Sequence, residues 1–203
     1  MASLEKKLDK AAEKDIYLVH LMGISEVDLC EKDKAISYDV NVESVKIAWG
    51  LANKYKMRKF VFPSSALVYG TRYELPVAEE FPPFPENTYA RFKLEAENYL
   101  IANSAGSSIE TVILRLANVY GAGMNERNIF NAILKQFKAG SLNLKEYKSV
   151  RDYVNADDVI NAIIATLNSK CNFKVYNVAS SKGISVFDLV KLMASVTHNE
   201  AIV

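Results

Sequence analysis

An α/β fold with a mainly parallel, doubly wound sheet is what this sequence predicts. Three observations carry that prediction: short β-branched or aromatic runs recur along the chain, stretches of helical periodicity separate them, and the connections are long enough to be crossovers rather than hairpins. Half of the 203 residues are hydrophobic and 24% are charged, which is ordinary globular composition with enough apolar mass for one sizeable core.

Leu4 to Lys14 is rich in Lys, Glu and Ala and predicts a polar helix. Ile16 to Leu21 is a short apolar run suited to a buried strand, and Gly23 and Ser25 end it. Val42, Val45, Ala48, Trp49 and Ala52 recur at helical spacing, so Ser37 to Tyr55 predicts a helix with one apolar face. Lys59 to Pro63 is the next strand. Pro76, Pro82, Pro83 and Pro85 mark an irregular loop before a helix that carries Tyr89 and Lys93. Thr111 to Leu116 is a third buried strand, ended by a turn with Gly121 and Gly123. A helix over Ile129 to Lys138, a polar loop, a helix over Ala156 to Leu167, a strand over Lys174 to Val178 and a helix over Val186 to Ser195 complete the chain. There is no internal repeat and no low-complexity linker.

Several classes of function are disfavoured at once. A formal net charge of +1 gives no electrostatic case for nucleic acid or an anionic membrane surface. The apolar stretches are far shorter than a membrane span, and the N-terminal residues lack the apolar core of a secretion signal. Cys30 and Cys171 fit no metal spacing and read as free thiols in a reducing cytoplasm. His20 and His198 are too few and too isolated for a metal site.

Chemistry is concentrated in one place. Tyr89 and Lys93 stand at i and i+4, so a helix puts a phenol and an ammonium on one face. Ser64-Ser65-Ala66 follows an apolar strand, and ligands of parallel sheets lie beyond the carboxyl ends of strands. Such a trio can move a proton off a carbinol while a hydride leaves its carbon. The phenol, with an ordinary pKa of about 10, must fall by roughly 3 units to act as a base near neutrality, about 4 kcal/mol of differential stabilisation. Lys93 could supply part of this and an oxidised nicotinamide more. Tyr89 is then the base, Lys93 its electrostatic support and ribose anchor, and Ser65 the group that orients the substrate oxygen. The plain alternative is an exposed helix-surface pair. A second Tyr-x-x-x-Lys, Tyr55 to Lys59, crosses a helix end and reads as accidental. Arg151 reads either as a surface salt-bridge partner or as a diphosphate clamp, which suits a forked guanidinium. Asn118 reads as a turn former or a substrate contact, and Asp157 and Asp158 as helix-start residues rather than a metal pair.

In sequence order, these segments resemble the extended short-chain dehydrogenase/reductase family, specifically its NAD-dependent epimerase/dehydratase group acting on nucleotide sugars. The likeness runs through Val19-His20-Leu21-Met22-Gly23, Asn41-Val42, Phe62-Pro63-Ser64-Ser65-Ala66, Tyr89 to Lys93, Arg115 to Gly121, Arg151 to Val159 and Val175 to Val178. It implies a partial Rossmann-like doubly wound sheet with part of a smaller substrate-binding region. Residues 1–120 would be the partial dinucleotide-binding domain and residues 121–203 a mixed substrate-binding region with the last Rossmann-like elements. It implies NAD, or NADP, passed by Leu21, Met22, Gly23, Asn41, Ser64, Tyr89 and Lys93. Ser65, Asn118 and Arg151 would contact a nucleotide-sugar substrate. A sugar hydroxyl would be oxidised to a keto intermediate, and the hydride returned to the opposite face by an epimerase; a reductase would run a single reduction. Family dehydratases follow the active hydroxyl with Asp-Glu; here Ala66-Leu67 stand there, which argues against elimination.

One departure is large. No Gly-x-x-Gly-x-x-Gly occurs in the chain, and that loop gives backbone N–H groups to the pyrophosphate. Two or three such bonds are worth roughly 3–9 kcal/mol, comparable to a micromolar affinity of about 8 kcal/mol. The isolated chain is therefore expected to bind NAD poorly. The chain also starts just before the family's fourth strand and ends short of its C-terminus, so its first strand should present an open sheet edge. That edge suggests a fragment, a homo-oligomer or association with a complementing segment. A non-catalytic binding or assembly protein that keeps the fold is the competing reading.

Overall fold

The computed structural model describes residues 2–9, 15–74, 76–144 and 147–199. Its elements are α1 (Ala2–Asp9), β1 (Tyr17–Val19), α2 (Val27–Lys32), α3 (Lys34–Tyr38), α4 (Ser44–Lys54), β2 (Lys59–Ser65), α5 (Thr88–Ser104), β3 (Glu110–Leu116), β4 (Asn118–Tyr120), α6 (Ile129–Lys138), β5 (Val150–Asn155), α7 (Ala156–Asn168), β6 (Phe173–Val178), β7 (Gly183–Ser185) and α8 (Val186–Thr197). Two compact units emerge. The first holds Met1–Leu116 and Ile160–Val178, the second Ala117–Val159 and Ala179–Val203.

The first unit is a four-stranded sheet in the order β1-β2-β3-β6, parallel throughout. Its two faces follow from the two-residue period of a strand. Phe60 and Phe62 of β2 point to one side and pack with Val45, Trp49 and Ala52 of α4 and Ala96 and Leu100 of α5. Val61 points to the other and, with Val112 and Leu114, meets Ile163 and Leu167 of α7. Helices on both faces make this a doubly wound, Rossmann-like sheet. The predicted β1 is shorter than its apolar run. His20 N still bonds to Val61 O at 3.0 Å, but Leu21 and Met22 are 72% and 60% exposed in the loop that follows. Among the described residues β2 is the sole strand paired with β1, so β1 lies at the sheet edge. The predicted first helix is described only as far as Asp9; Lys10 to Lys14 lie outside the described residues.

The expected helix over Ser37 to Tyr55 is composite. α3 runs into a π-helical segment, Asp39–Glu43, before α4 begins. One widened turn is common at functional sites because it re-aims a side chain, and here it carries Asn41. The tyrosine and the lysine of the second Tyr-x-x-x-Lys motif, Tyr55 and Lys59, part company as well. Tyr55 OH donates to Asp9 at 3.0 Å, whereas Lys59, fully buried, donates to the carbonyls of Thr166 and Ser169, both at 2.5 Å. It also pairs with Glu110 at 3.0 Å. Lys59 is thus a cation at the C-terminus of α7, where the helix dipole favours it.

After β2 a 3-10 turn, Ala66–Tyr69, leads to Gly70 at φ +68°. A Cβ on Gly70 would stand 2.3 Å from the Phe84 carbonyl oxygen. Backbone cannot swing aside as a flexible side chain can, and left-handed φ is itself strained for other residues. Gly70→Ala is expected to destabilise the chain by about 1–3 kcal/mol, read from urea midpoints.

The second unit contains a three-stranded sheet in the order β4-β5-β7, in which β4 and β5 are parallel and β5 and β7 antiparallel. Its core joins Ile133 and Phe137 of α6, Tyr153 of β5 and Leu189, Val190 and Ala194 of α8. The sequence predicts a polar loop where β5 lies. The difference has a physical reason: Val150 and Arg151 are exposed and only Tyr153 and Val154 are buried, so the strand has little apolar pattern of its own.

Candidate active site

The N-terminus of α5 is fixed by two bonds. The Asn87 side chain accepts from Ala90 N at 2.8 Å, a standard N-cap, and Thr88 N donates to Glu31 Oε1 at 2.7 Å. From there Tyr89, Lys93, Ala96, Glu97 and Leu100 form the buried stripe, at the i, i+4, i+7, i+8 and i+11 spacing of one helix face. Two charged residues on a core-facing stripe are costly unless each finds partners, so their contacts define the site.

Lys93 is 6% exposed. Its Nζ donates to the Pro63 carbonyl oxygen at 2.9 Å and sits 4.6 Å from the centre of the Phe62 ring. An ammonium has three N–H donors, and among the described residues Pro63 takes one. Burial holds Lys93 down at about 8, against the pull of Glu97, which favours its charge. Tyr89 is 7% exposed, and burial pushes its phenol up to about 12, with the Ser65 hydroxyl as the neighbour that opposes the rise. From the sequence Lys93 is expected to oppose that rise; in the structure its ammonium is engaged with the Pro63 carbonyl. Ser65 Oγ accepts from Leu67 N at 3.2 Å, which orients it and leaves its O–H proton available.

The loop after β1 closes one side of this group. A Cβ on Gly23 would stand 3.2 Å from Asn41 Oδ1 and 3.7 Å from Lys93 Nζ, so glycine leaves a clear approach to the ammonium. Asn41, 1% exposed, is occupied by the loop itself. Its Oδ1 accepts from Ile24 N at 3.2 Å, and its Nδ2 donates to Ile24 O at 3.2 Å and to Ser37 O at 3.0 Å. It therefore acts on the site by pinning the Gly23-Ile24 main chain. Leu21 and Met22 lie in the same loop, exposed. Cys30 is buried and donates to Ile24 O at 3.5 Å; burial pushes its thiol pKa up.

Ser64 is engaged with the neighbouring helix α5. Its Oγ donates to Glu97 Oε1 at 2.5 Å. Glu97 is fully buried and Arg115 5% exposed. Arg115 Nη2 meets Glu97 Oε2 at 2.7 Å, while its Nε lies 3.2 and 3.1 Å from the two carboxylate oxygens. Arg115 Nη1 donates to Tyr69 OH at 2.8 Å, which in turn donates to Asn177 Oδ1 at 2.9 Å. The sequence reading assigned no role to Glu97 or Arg115. The available signal was spacing: Glu97 stands one helical step beyond Lys93 on the same face.

Ser64, Ser65, Tyr89, Lys93, Gly23 and Asn41 thus come together in the first unit. Asn118 and Arg151 come together in the second. Asn118 opens β4 and donates to Asp152 O at 3.0 Å. Both line a cavity of about 390 Å³ with Asn128, Phe130 and Tyr153. Among the described residues no carboxylate pairs with Arg151; its Nη1 bonds only to Val150 O at 3.0 Å. The adjacent Asp152 is committed elsewhere, accepting from Ser180 N and Oγ and from Lys182 N. A guanidinium with no carboxylate partner among the described residues, lining a cavity, suits an anionic ligand. Asp157 and Asp158 fall in the first turn of α7, as helix-start residues do.

A parallel sheet wound with helices on both faces, with a buried phenol and ammonium beside the carboxyl end of β2, makes this a Rossmann-like protein. The chain belongs to the NAD dependent epimerase/dehydratase family, whose sequence profile matches residues 3–179. It is 26% identical over 223 aligned positions to a UDP-glucose 4-epimerase of Dictyostelium discoideum, covering 97% of this chain and 64% of that one. It is 26% identical to a GDP-6-deoxy-D-mannose reductase of Pseudomonas aeruginosa, covering 90% of this chain and 64% of the relative. The crystal structure of the UDP-glucose 4-epimerase of Thermotoga maritima with UDP-glucose superposes with a TM-score of 0.85 at 24% identity, covering 97% of this chain and 66% of that one. That likeness establishes the fold. The chain spans about 64% of the length of the two curated relatives. No helix among the described residues is long and apolar enough to cross a membrane.

The residues present fit the ribose and nicotinamide end of a dinucleotide. The observation is the clear approach that Gly23 leaves beside an ammonium with N–H donors to spare.

Proposed function

We propose that the chain forms the hydride-transfer centre of a nucleotide-sugar epimerase or reductase using NAD or NADP. The observation that carries this reading is the burial of Tyr89 and Lys93 on one face of α5 beside Ser65, where β2 ends. When bound, the cofactor accepts and returns the hydride. Lys93 holds ribose hydroxyls with the N–H groups that Pro63 does not take. Ser65, oriented by Leu67 N, donates a hydrogen bond to the substrate oxygen and keeps its proton. Tyr89, held at about 12, is protonated at neutral pH and donates to a keto oxygen in the reductive direction. It takes the carbinol proton in the oxidative direction only when positive charge beside it stabilises the phenolate. Ala66 and Leu67 offer no carboxylate for elimination, which supports epimerisation or reduction over dehydration. Asn118 and Arg151 hold the substrate diphosphate. Residues 1–120 then carry the cofactor and the chemistry, and residues 121–203 chiefly the substrate.

NADH titration of the chain, followed by nicotinamide fluorescence with and without nucleotide sugars, tests the reading. Binding is expected to be saturable and weaker than micromolar. Lys93, at about 8, carries its ammonium below that pH and loses it above, so affinity should fall about tenfold between pH 7 and pH 9. The unfolded ammonium keeps its proton to about pH 10.4. The folded chain therefore releases this proton first, and the group's contribution to stability rises with pH from about 8 to about 10.4. Binding without this pH trend would remove Lys93 from the site. A folded chain that binds neither NADH nor nucleotide sugars would favour a non-catalytic assembly protein, a reading supported by the edge position of β1.

A further inference from the structure

The stripe of α5 does not stop at Lys93. Three successive turns of the helix each bring one polar side chain toward the end of β2, and two of them bond to it. Tyr89 is the phenol whose proton affinity Ser65 modulates. Lys93 grips the carbonyl of Pro63 at 2.9 Å. Glu97 grips the hydroxyl of Ser64 at 2.5 Å. The Glu97 grip is itself anchored, because the guanidinium of Arg115 closes on the Glu97 carboxylate with contacts of 2.7, 3.1 and 3.2 Å. A carboxylate so held is fixed on two sides, and the serine it binds is the immediate neighbour of Ser65.

We propose that Glu97 is a positioning residue: it locks the face of α5 that carries Tyr89 and Lys93 in register with Ser65, and it provides the negative charge against which the buried Lys93 ammonium is held. The inference rests on the function proposed above for those three residues.

Burial alone drives a lysine toward its neutral form. Among the described residues the charged and titratable groups that face Lys93 are few. On its own helix they are Tyr89 and Glu97. From α2 there is the Cys30 thiol, and from the end of β1 there is His20. His20 is no source of negative charge; burial and then Lys93 hold its imidazole neutral, and its Nε2 is engaged with Ser44 Oγ at 3.1 Å. Cys30 is kept as a thiol by burial. Glu97 is thus the carboxylate that favours the ammonium, and Arg115 is the cation that pairs with Glu97 on its other side. A neutral Lys93 would still accept or donate one hydrogen bond, but it would offer a cofactor or a phenolate no charge.

The test is an NMR titration of the chain labelled with lysine carrying 13C at the ε-carbon, the Lys93 signal being assigned with Lys93→Met. It reads the ammonium directly and needs no cofactor. In the parent chain the midpoint is expected near 8. In Glu97→Gln it should fall by about one pH unit, and Glu97→Asp, which keeps the charge, should recover most of that. The double variant Glu97→Met with Arg115→Met separates charge from packing, since replacing a buried ion pair by apolar side chains commonly preserves stability. Its melting temperature should return toward the parent value while its Lys93 midpoint stays low. Should Glu97→Gln fail to fold, the double variant carries the test alone. A Lys93 midpoint that is unchanged without the carboxylate, or that recovers together with stability in the double variant, would overturn the proposal and leave Glu97 a packing element. A midpoint that moves as expected in a chain that binds no NADH would uphold the role of Glu97 and reject the function proposed for its neighbours.

Discussion

Tyr89→Phe is expected to lower hydride transfer about 10²–10⁴-fold, the usual weight of a positioned acid or base, and to leave the fold intact. The substitution removes one oxygen. Among the described residues no geometric hydrogen bond depends on that oxygen, and Ser65 is its one polar neighbour of consequence. Loss of the hydroxyl therefore costs little packing, and the ring still fills its place on the buried stripe of α5. Single-turnover reduction of a keto-sugar nucleotide by NADH, monitored through nicotinamide absorbance, measures the effect, with the melting temperature as control. The direction of transfer adds a further handle. A phenol held at about 12 is a ready donor but a reluctant acceptor, so the reductive half-reaction should be nearly flat with pH from 6 to 7.5. An unchanged rate in Tyr89→Phe would exclude the phenol as the proton carrier.

Arg115→Leu should be the most damaging single change to stability. Removing one member of a buried ion pair strands the other, at about 3–5 kcal/mol, against a total stability of about 5–15 kcal/mol for a domain. Here the stranded group is Glu97, which is fully buried and would keep only the Ser64 hydroxyl. Tyr69 loses its guanidinium donor in the same step. Urea denaturation is the appropriate measure, with an unchanged slope showing that the midpoint shift is a stability change. A loss below about 1 kcal/mol would mean that water reaches the pair.

Much of the first unit was legible in the sequence, and the reason is periodicity. Phe60-Val61-Phe62 and Thr111 to Leu116 alternate between two apolar faces, so near-continuous apolar runs are the expected signature of strands covered on both sides. The site was legible for a related reason. Tyr89 and Lys93 are separated by one helical step, and Ser65 ends a strand. What stayed hidden depended on partners distant in the chain. β5 and β7 have short, polar sequences and become strands only through each other and β4. The π-helical turn at Asp39–Glu43 adds a residue to a helix without changing its apolar spacing enough to notice, yet it is what carries Asn41 to Ile24. Glu97 sits among Glu95 and Asn98 in an evidently polar stretch. Only its distance from Lys93 tells it apart from the exposed Glu95, and only Arg115, eighteen residues further on, makes its burial tolerable.

The register of the four-stranded sheet bears on how the chain reaches this state. Tyr17 lies opposite Lys59, Lys59 opposite Glu110, and Thr111 opposite Phe173. No pair of neighbouring strands is joined by a tight turn, so none can zip up locally before the rest. Each pairing must first close a long loop, and the entropy of that closure is lost before any ladder bond is gained. Strand β2, the sheet's centre, is exposed on both edges until two such closures have occurred. The same topology that sets Ser65 beside α5 therefore makes this a slow-folding chain, in which the apolar central strands β2 and β3 each wait on two pairings to be shielded in a crowded solution.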